Sequence, residues 1–142
     1  MKWMGMAAAS IASFTAGLHL VGGGMDVVTP FLKVPMPLEL QLILYACWHL
    51  VSVMLLASAW ALWSGIRHPT DAQRRGRVQL VLVWWAAGTL VFWAIALRQA
   101  GWAGLWRMPQ WILFLPVVLL GYGWLQGTHH PEQRSATSGL AA

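Results

Sequence analysis

The chain has 142 residues, of which 58% are hydrophobic and only 9% are charged, and its mean hydropathy is +0.60. Soluble domains usually contain about 25% charged residues, so this composition excludes an ordinary soluble globular domain. The single cysteine excludes an internal disulfide and any metal site built from several cysteines.

The few charged residues leave four long segments without Lys, Arg, Asp or Glu, at residues 3–25, 40–66, 78–97 and 108–131. Each segment is long enough for a membrane-crossing helix, which needs roughly 20 residues to span about 30 Å of hydrocarbon. None shows the alternation that is typical of membrane β-strands. The sequence therefore predicts an all-α integral membrane four-helix bundle, with spans near 4–25, 40–65, 78–98 and 109–127.

These spans predict two parts of the chain, a four-helix transmembrane domain over 1–127 and a disordered C-terminal tail over 128–142. The tail begins near His129 and His130 and is mostly small and polar. Segments of this composition bury too little apolar surface to fold. No role in metal binding is assigned to the two tail histidines.

The positive charges predict the orientation. If both termini are cytoplasmic, six of the nine Lys and Arg residues lie on the cytoplasmic side, as the positive-inside rule requires. This N-in, C-in arrangement describes a multi-pass membrane protein. The basic segment 67–77 is then a cytoplasmic loop that anchors the topology and contacts anionic lipid headgroups. It lacks the aromatic residues or reading helix of a nucleic-acid site, so we expect no nucleic-acid partner.

Small residues recur every fourth position in the first span, at Ala8, Ala12 and Ala16 and again at Ala9, Ser13 and Gly17. This spacing lets helices approach closely in lipid, so we expect the first helix to be central in a tight bundle.

Seven of the eleven tryptophans lie near predicted span ends. Amphipathic rings favour the headgroup region, which predicts interfacial anchors at Trp3, Trp60, Trp63, Trp124, Trp102, Trp106 and Trp111.

Two histidines lie inside predicted spans. His19 lies seven residues before Asp26, and His49 lies ten residues after Glu39. At ~1.5 Å per residue the two rings lie roughly 10 and 15 Å below these carboxylates. Both therefore belong to the half of the bilayer that faces away from the cytoplasm, where they are predicted to meet.

A polar stripe on the second span supports this meeting, because Gln41, Tyr45, His49 and Ser52 fall on one helical face. Polar groups avoid lipid, so the stripe is predicted to face the bundle interior. Arg98 closes the third span on the same side. The prediction is an outward-half polar pocket built on His19 and His49.

Four interpretations of the chemistry of this pocket are compatible with the sequence. The histidines hydrogen-bond and hold helices together, as in an accessory or structural subunit. They ligate haem b axially, or a metal ion with Asp26 or Glu39 as further ligands. They catalyse a reaction of a lipid-soluble substrate, or they line a proton or solute path. The expected partners are the lipid bilayer and either further copies of the chain or a larger membrane complex.

One resemblance bears on the first sixty residues. The residues that carry the resemblance are Gly17-Leu18-His19, then Gly22-Gly23-Gly24, a carboxylate and Pro30, and then Trp48-His49. With them, this part of the chain resembles a group of small, uncharacterised four-helix inner-membrane proteins of bacteria. The general plan is also similar to the DoxX-like class. The resemblance implies a bacterial inner membrane as the location and implies that His19 and Trp48-His49 belong to one unit. It implies no activity.

Overall fold

The computed structural model describes residues 2–127, and nearly all of them are helical. The elements are α1 (Lys2–Gly23), a π-helical segment (Gly24–Val28), α2 (Thr29–Phe31), α3 (Leu38–Arg67), α4 (Ala72–Arg107) and α5 (Trp111–Gly127). The segments Lys2–Phe31, Leu38–Arg67 and Ala72–Arg107 are long and apolar enough to cross a membrane, and α5 is a shorter apolar helix. The predicted all-α class is confirmed for this part of the chain. The predicted tail over 128–142, with His129 and His130, lies outside the described residues.

The four long helices form a bundle in which α1 and α4 each pack against both α3 and α5. The helices therefore surround a common axis in the order α1, α3, α4, α5. All four contribute to one buried cluster along this axis, which includes Ala12, Leu62, Trp85 and Val117.

At the end of the bundle that contains Lys2, close approach depends on glycine. A Cβ on Gly5 of α1 would lie 2.8 Å from Trp124 Cδ1 and 3.0 Å from Ile66 Cγ1. A Cβ on Gly65 of α3 would lie 2.6 Å from Val78 Cγ2 and 3.4 Å from Trp124 Cη2. The Trp124 indole of α5 thus packs at a junction with α1 and α3, which is narrow because Gly5 and Gly65 have no side chains.

Trp124 is for this reason not the interfacial anchor that its position near a span end predicted, since it is only 3% exposed.

The small-residue stripes also differ from each other. Ala8, Ala12 and Ala16 are buried, whereas Ser13 and Gly17 of the second stripe are exposed. One face of α1 packs closely, and the neighbouring face does not.

The first helix continues beyond the predicted span end at residue 25, through the π-helical segment and α2 to Phe31. Pro30 therefore lies within helical structure rather than in the bend between the first two spans. A proline in a helix removes one backbone hydrogen bond and crowds the preceding turn. The wider π-helical turn directly before Pro30 gives the ring room, and the Thr29 hydroxyl donates to the Gly24 carbonyl at 2.9 Å.

The start of α4 lies six residues before the predicted span start at 78 because Asp71 caps the helix. Its side chain accepts the Arg74 N–H at 3.1 Å and pairs with the Arg74 Nε at 2.9 Å. The backbone hydrogen bond from Arg74, helped by its guanidinium, holds the pKa of the Asp71 carboxyl below its ordinary value of 3.8. Arg74 also donates to Ser64 Oγ at 2.8 Å, so the basic loop ties the end of α3 to the start of α4.

The helix α4 bends sharply near its C-terminal end, where Ala100 and Gly101 leave helical geometry. Gly101 has φ 57° and ψ −150°, a conformation that side chains strongly disfavour. The turn carries residues 102–107 off the line of the helix, and the exposed Trp102 and Trp106 lie on that segment. The Trp111 indole N–H donates to the Leu105 carbonyl at 3.1 Å and joins the segment to α5.

Gly101→Ala is expected to lower the free energy of unfolding by about 1–3 kcal/mol, because alanine cannot adopt this backbone conformation without strain. The matched control is Gly76→Ala in the same helix, where an added Cβ meets open space. There alanine should stabilise by up to about 1 kcal/mol through its higher helix propensity. Unfolding in mixed detergent micelles, followed by circular dichroism, measures both values. Equal effects at the two positions would contradict the assignment of the bend to Gly101.

Candidate functional site: an aromatic cavity beside His19

A cavity of about 570 Å³ lies in the half of the bundle away from Lys2. Its volume is within the range of roughly 300–1,000 Å³ that is typical of small-molecule sites. All four long helices contribute to its walls, and the lining is mainly apolar and aromatic. The lining residues are Thr15, Leu18, His19, Gly23, Val27, Trp48, Val51, Met54, Leu55, Trp84, Trp85, Gly88, Phe92, Pro109, Gln110, Leu113 and Phe114.

The cavity exists because the bundle changes its packing along its axis. Toward Lys2, alanines of α1 such as Ala8 and Ala12 are fully buried and bring the helices together. Further along, α4 contributes Trp84, Trp85 and Phe92, whose large rings hold the helices apart without filling the space between them. The Trp85 and Phe114 rings contact at 4.7 Å between centroids and form one side of the wall.

Within residues 2–127, His19 is the only ionisable side chain on the cavity wall, and its ring is held by Trp48 of α3. The two rings stack with centroids 3.8 Å apart and planes inclined by 17°. The imidazole Nε2 also lies 3.4 Å from the Trp48 carbonyl oxygen. Two contacts to one residue fix the position and the plane of the histidine.

The Trp48 ring is positioned by a glycine of α1 one turn beyond His19. A Cβ on Gly23 would collide with the Trp48 six-membered ring, so the indole can lie across α1 only where no side chain is present. The Trp48 carbonyl also accepts the Ser52 hydroxyl at 3.0 Å. His19, Gly23, Trp48 and Ser52 therefore form one packed unit, which we call the His19–Trp48 unit.

His49 does not share this cavity, which corrects the prediction that both imidazoles meet in one pocket. Its side chain is exposed on the outside of α3, where its ring makes an edge contact with Tyr45 at 4.5 Å between centroids. Consecutive helical residues point about 100° apart. Since Trp48 faces α1, His49 is directed away from the bundle interior.

The other residues predicted for the pocket are distributed elsewhere. Asp26, Glu39 and Arg98 are exposed and do not line the cavity. Gln41 is only partly buried and donates to the Leu32 carbonyl at 2.8 Å, which closes the connection before α3. Of the predicted set, His19 and Ser52 meet at the Trp48 carbonyl beside the cavity, whereas Tyr45 and His49 contact each other outside it.

The predicted metal or haem b site has no support in this arrangement. Within residues 2–127, no three side chains among His, Cys, Asp and Glu lie close enough to hold a metal ion. The proposed pair of axial haem ligands is not assembled either, because His49 is exposed and His19 is packed on Trp48.

Sequence reasoning missed most of the cavity wall. Trp48 was considered only together with His49, and no role in a site was assigned to Trp84, Trp85 or Phe92. One signal was present in the sequence, namely the run Gly22-Gly23-Gly24 one turn after His19. Such a glycine run in a helix indicates that another group approaches the backbone closely.

No family model, curated protein or solved structure matches this chain. The function must therefore be inferred from the site.

Proposed function

We propose that the chain is a four-span protein of the bacterial inner membrane that binds a lipid-soluble small molecule in the cavity beside His19. The observation that carries this proposal is the cavity itself, which all four long helices enclose and which mainly apolar and aromatic side chains line. A protein that only needed to join helices would fill this space with side chains, since interiors are normally close-packed.

The proposed orientation places both termini in the cytoplasm, with the cavity in the outer half of the bilayer. The positive-inside rule supports it, because Lys2 and the basic loop between α3 and α4 lie at the same end of the bundle. In the first turns of α4, Arg74 bonds to Asp71 and Ser64, and Arg77 lies over the Trp60 ring at 5.4 Å. The helix α5, although only 17 residues long, contacts α1 and α4 as the fourth span.

A fluorescent protein that matures only in the cytoplasm tests this orientation. Fused after Ala142, it should be bright in bacterial cells, whereas the same protein inserted between Lys33 and Val34, in the connection after α2, should be dark. Bright fluorescence from the second fusion, with the membrane fraction intact, would contradict the N-in, C-in arrangement.

The cavity is open to molecules of the bilayer rather than to charged solutes. No Lys, Arg, Asp or Glu lines it among the described residues, and transferring an unpaired charge into such a site is costly. Aromatic walls provide large contact areas for flat, apolar molecules. Apart from the tryptophan N–H groups, few polar side chains line it, namely Thr15, His19 and Gln110, and the Thr15 hydroxyl is already donated to the Ile11 carbonyl at 2.8 Å.

Filling the cavity with a side chain tests the binding site. Val51 lines the cavity and Val53 lies on the outer face of α3 with 63% of its surface exposed. We expect Val51→Trp to weaken the binding of 2-methoxynaphthalene at least about tenfold, because the indole occupies the space that the ligand needs. Val53→Trp should leave the dissociation constant unchanged. Titration calorimetry of the detergent-purified proteins provides both constants.

Two results would overturn the proposed binding function. One is the absence of saturable binding of 2-methoxynaphthalene to the unmodified protein. The other is equal affinity of the Val51→Trp and Val53→Trp variants, which would place the bound probe outside the cavity.

A further inference from the structure

The hydrogen bond of His19 fixes its tautomer. A carbonyl oxygen only accepts, so the contact between Nε2 and the Trp48 carbonyl requires that Nε2 carries the proton. The same carbonyl also accepts the Ser52 hydroxyl at 3.0 Å. In neutral imidazole the other nitrogen, Nδ1, is then an acceptor without a proton.

The His19 ring has little freedom to change its orientation. Trp48 stacks on one ring face at 3.8 Å, and the Trp48 indole is itself confined by the Gly23 backbone. A 180° ring flip would keep the stack but would put Cε1 in the place of Nε2 and so lose the bond to the carbonyl. Since His19 lines the cavity, Nδ1 is an acceptor on its wall, in addition to the side-chain amide of Gln110, which can both accept and donate.

The remaining walls restrict the chemical class of that ligand. Rings of Trp48, Trp84, Trp85, Phe92 and Phe114 line the cavity, and aromatic side chains pack best against other flat rings. The lining carries no cation among the described residues, so a phosphate or carboxylate would remain unpaired. At His19 the wall presents the acceptor Nδ1, which selects a ligand group that donates.

We propose that the natural ligand is a neutral hydroxylated aromatic ring of the phenol or hydroquinone class, whose O–H donates to His19 Nδ1. This inference rests on the proposed binding function and names the class of molecule for the same cavity. It also implies discrimination, since a quinone or an aryl ether of the same shape has no proton to donate. Its oxygen would face the Nδ1 lone pair without a hydrogen bond.

A pair of probes with the same ring tests the inference. 2-Naphthol has the hydroxyl, and 2-methoxynaphthalene lacks the donor. One net hydrogen bond is expected to make 2-naphthol bind about threefold to tenfold more tightly to the unmodified protein. His19→Leu should reduce this preference to about one, and His19→Asn, which places an amide oxygen near the Nδ1 position, should retain part of it. The matched control is His49→Leu, which alters the exposed histidine and should leave the preference unchanged.

The outcomes separate the inference from the function on which it rests. Equal affinities of the two probes for the unmodified protein, both weakened by Val51→Trp, would overturn the ligand class and leave the binding function standing. Failure of both probes to bind would overturn the binding function. A Soret band in the purified protein that His19→Leu abolishes would also overturn the inference, because Nδ1 would then ligate iron. The comparison in the unmodified protein does not depend on whether the His19 variants fold.

Discussion

Gly5→Leu is expected to lower the free energy of unfolding by about 3 kcal/mol, the upper part of the usual range for overpacking a tight interior. Even a Cβ at this position would lie 2.8 Å from Trp124 Cδ1, 2.9 Å from Trp124 Cγ and 3.0 Å from Ile66 Cγ1. Trp124 has little room to move, since it is 3% exposed and would lie 3.4 Å from a Cβ on Gly65 of α3. The added leucine must therefore separate α1 from α5, and with it the junction with α3.

The control for this prediction is Gly17→Leu, which makes the same replacement in the same helix where an added Cβ meets nothing within 4 Å. Both variants gain the same helix propensity, so the difference between them isolates the packing cost. Reversible unfolding by sodium dodecyl sulfate in mixed micelles, followed by far-ultraviolet circular dichroism, measures both. If Gly5→Leu and Gly17→Leu shifted stability alike, the close junction at Trp124 would not be a feature of the folded protein.

Trp85→Ala is expected to cost about 3–5 kcal/mol, as large-to-small substitutions of buried aromatic residues generally do. Trp85 is fully buried, packs against Phe114 at 4.7 Å between ring centroids, and forms part of the floor between the packed core and the cavity. Removing the indole would join additional empty volume to the cavity, which the surrounding helices cannot close without losing their other contacts. The same unfolding measurement applies.

Trp102→Ala and Trp85→Phe are the controls for the effect of Trp85→Ala on stability. Trp102 is 80% exposed, so its removal should change stability by only about 0.5 kcal/mol. Trp85→Phe should cost less than half as much as Trp85→Ala. The phenyl ring keeps most of the contact, and the indole N–H that it removes has no hydrogen-bond partner among the described residues. A loss from Trp85→Ala no greater than that from Trp102→Ala would contradict the central position of Trp85.

The four helices were predictable because lipid imposes simple requirements on a chain. The charge-free segments had to be helical so that their backbone groups could bond internally, and their lengths matched the thickness of the hydrocarbon. The boundaries were less accurate, since Asp71 starts α4 early and the π-helical turn carries the first helix past the proline at position 30. Such local hydrogen bonds extend a helix without changing its hydropathy.

The candidate site was only half predictable. His19 was expected to meet His49, whereas in the structure it is partly buried and stacks on Trp48 of the Trp48-His49 segment. The polar stripe Gln41, Tyr45, His49 and Ser52 suggested that His49 faces inward. The structure turns Trp48 inward instead, toward Gly23.

The sequence alone predicted an all-helical chain, located segments that are apolar enough to cross a membrane, and placed an imidazole within the first of them. Only the tertiary structure decided which face of each helix is turned inward. The physical reason is that hydroxyl side chains in these helices satisfy themselves locally. Thr15 donates to the Ile11 carbonyl, Ser52 to the Trp48 carbonyl and Thr89 to the Trp85 carbonyl, each four residues back. A polar stripe therefore need not face a neighbouring helix. The inward faces are set instead by the positions at which glycine and alanine let large rings approach.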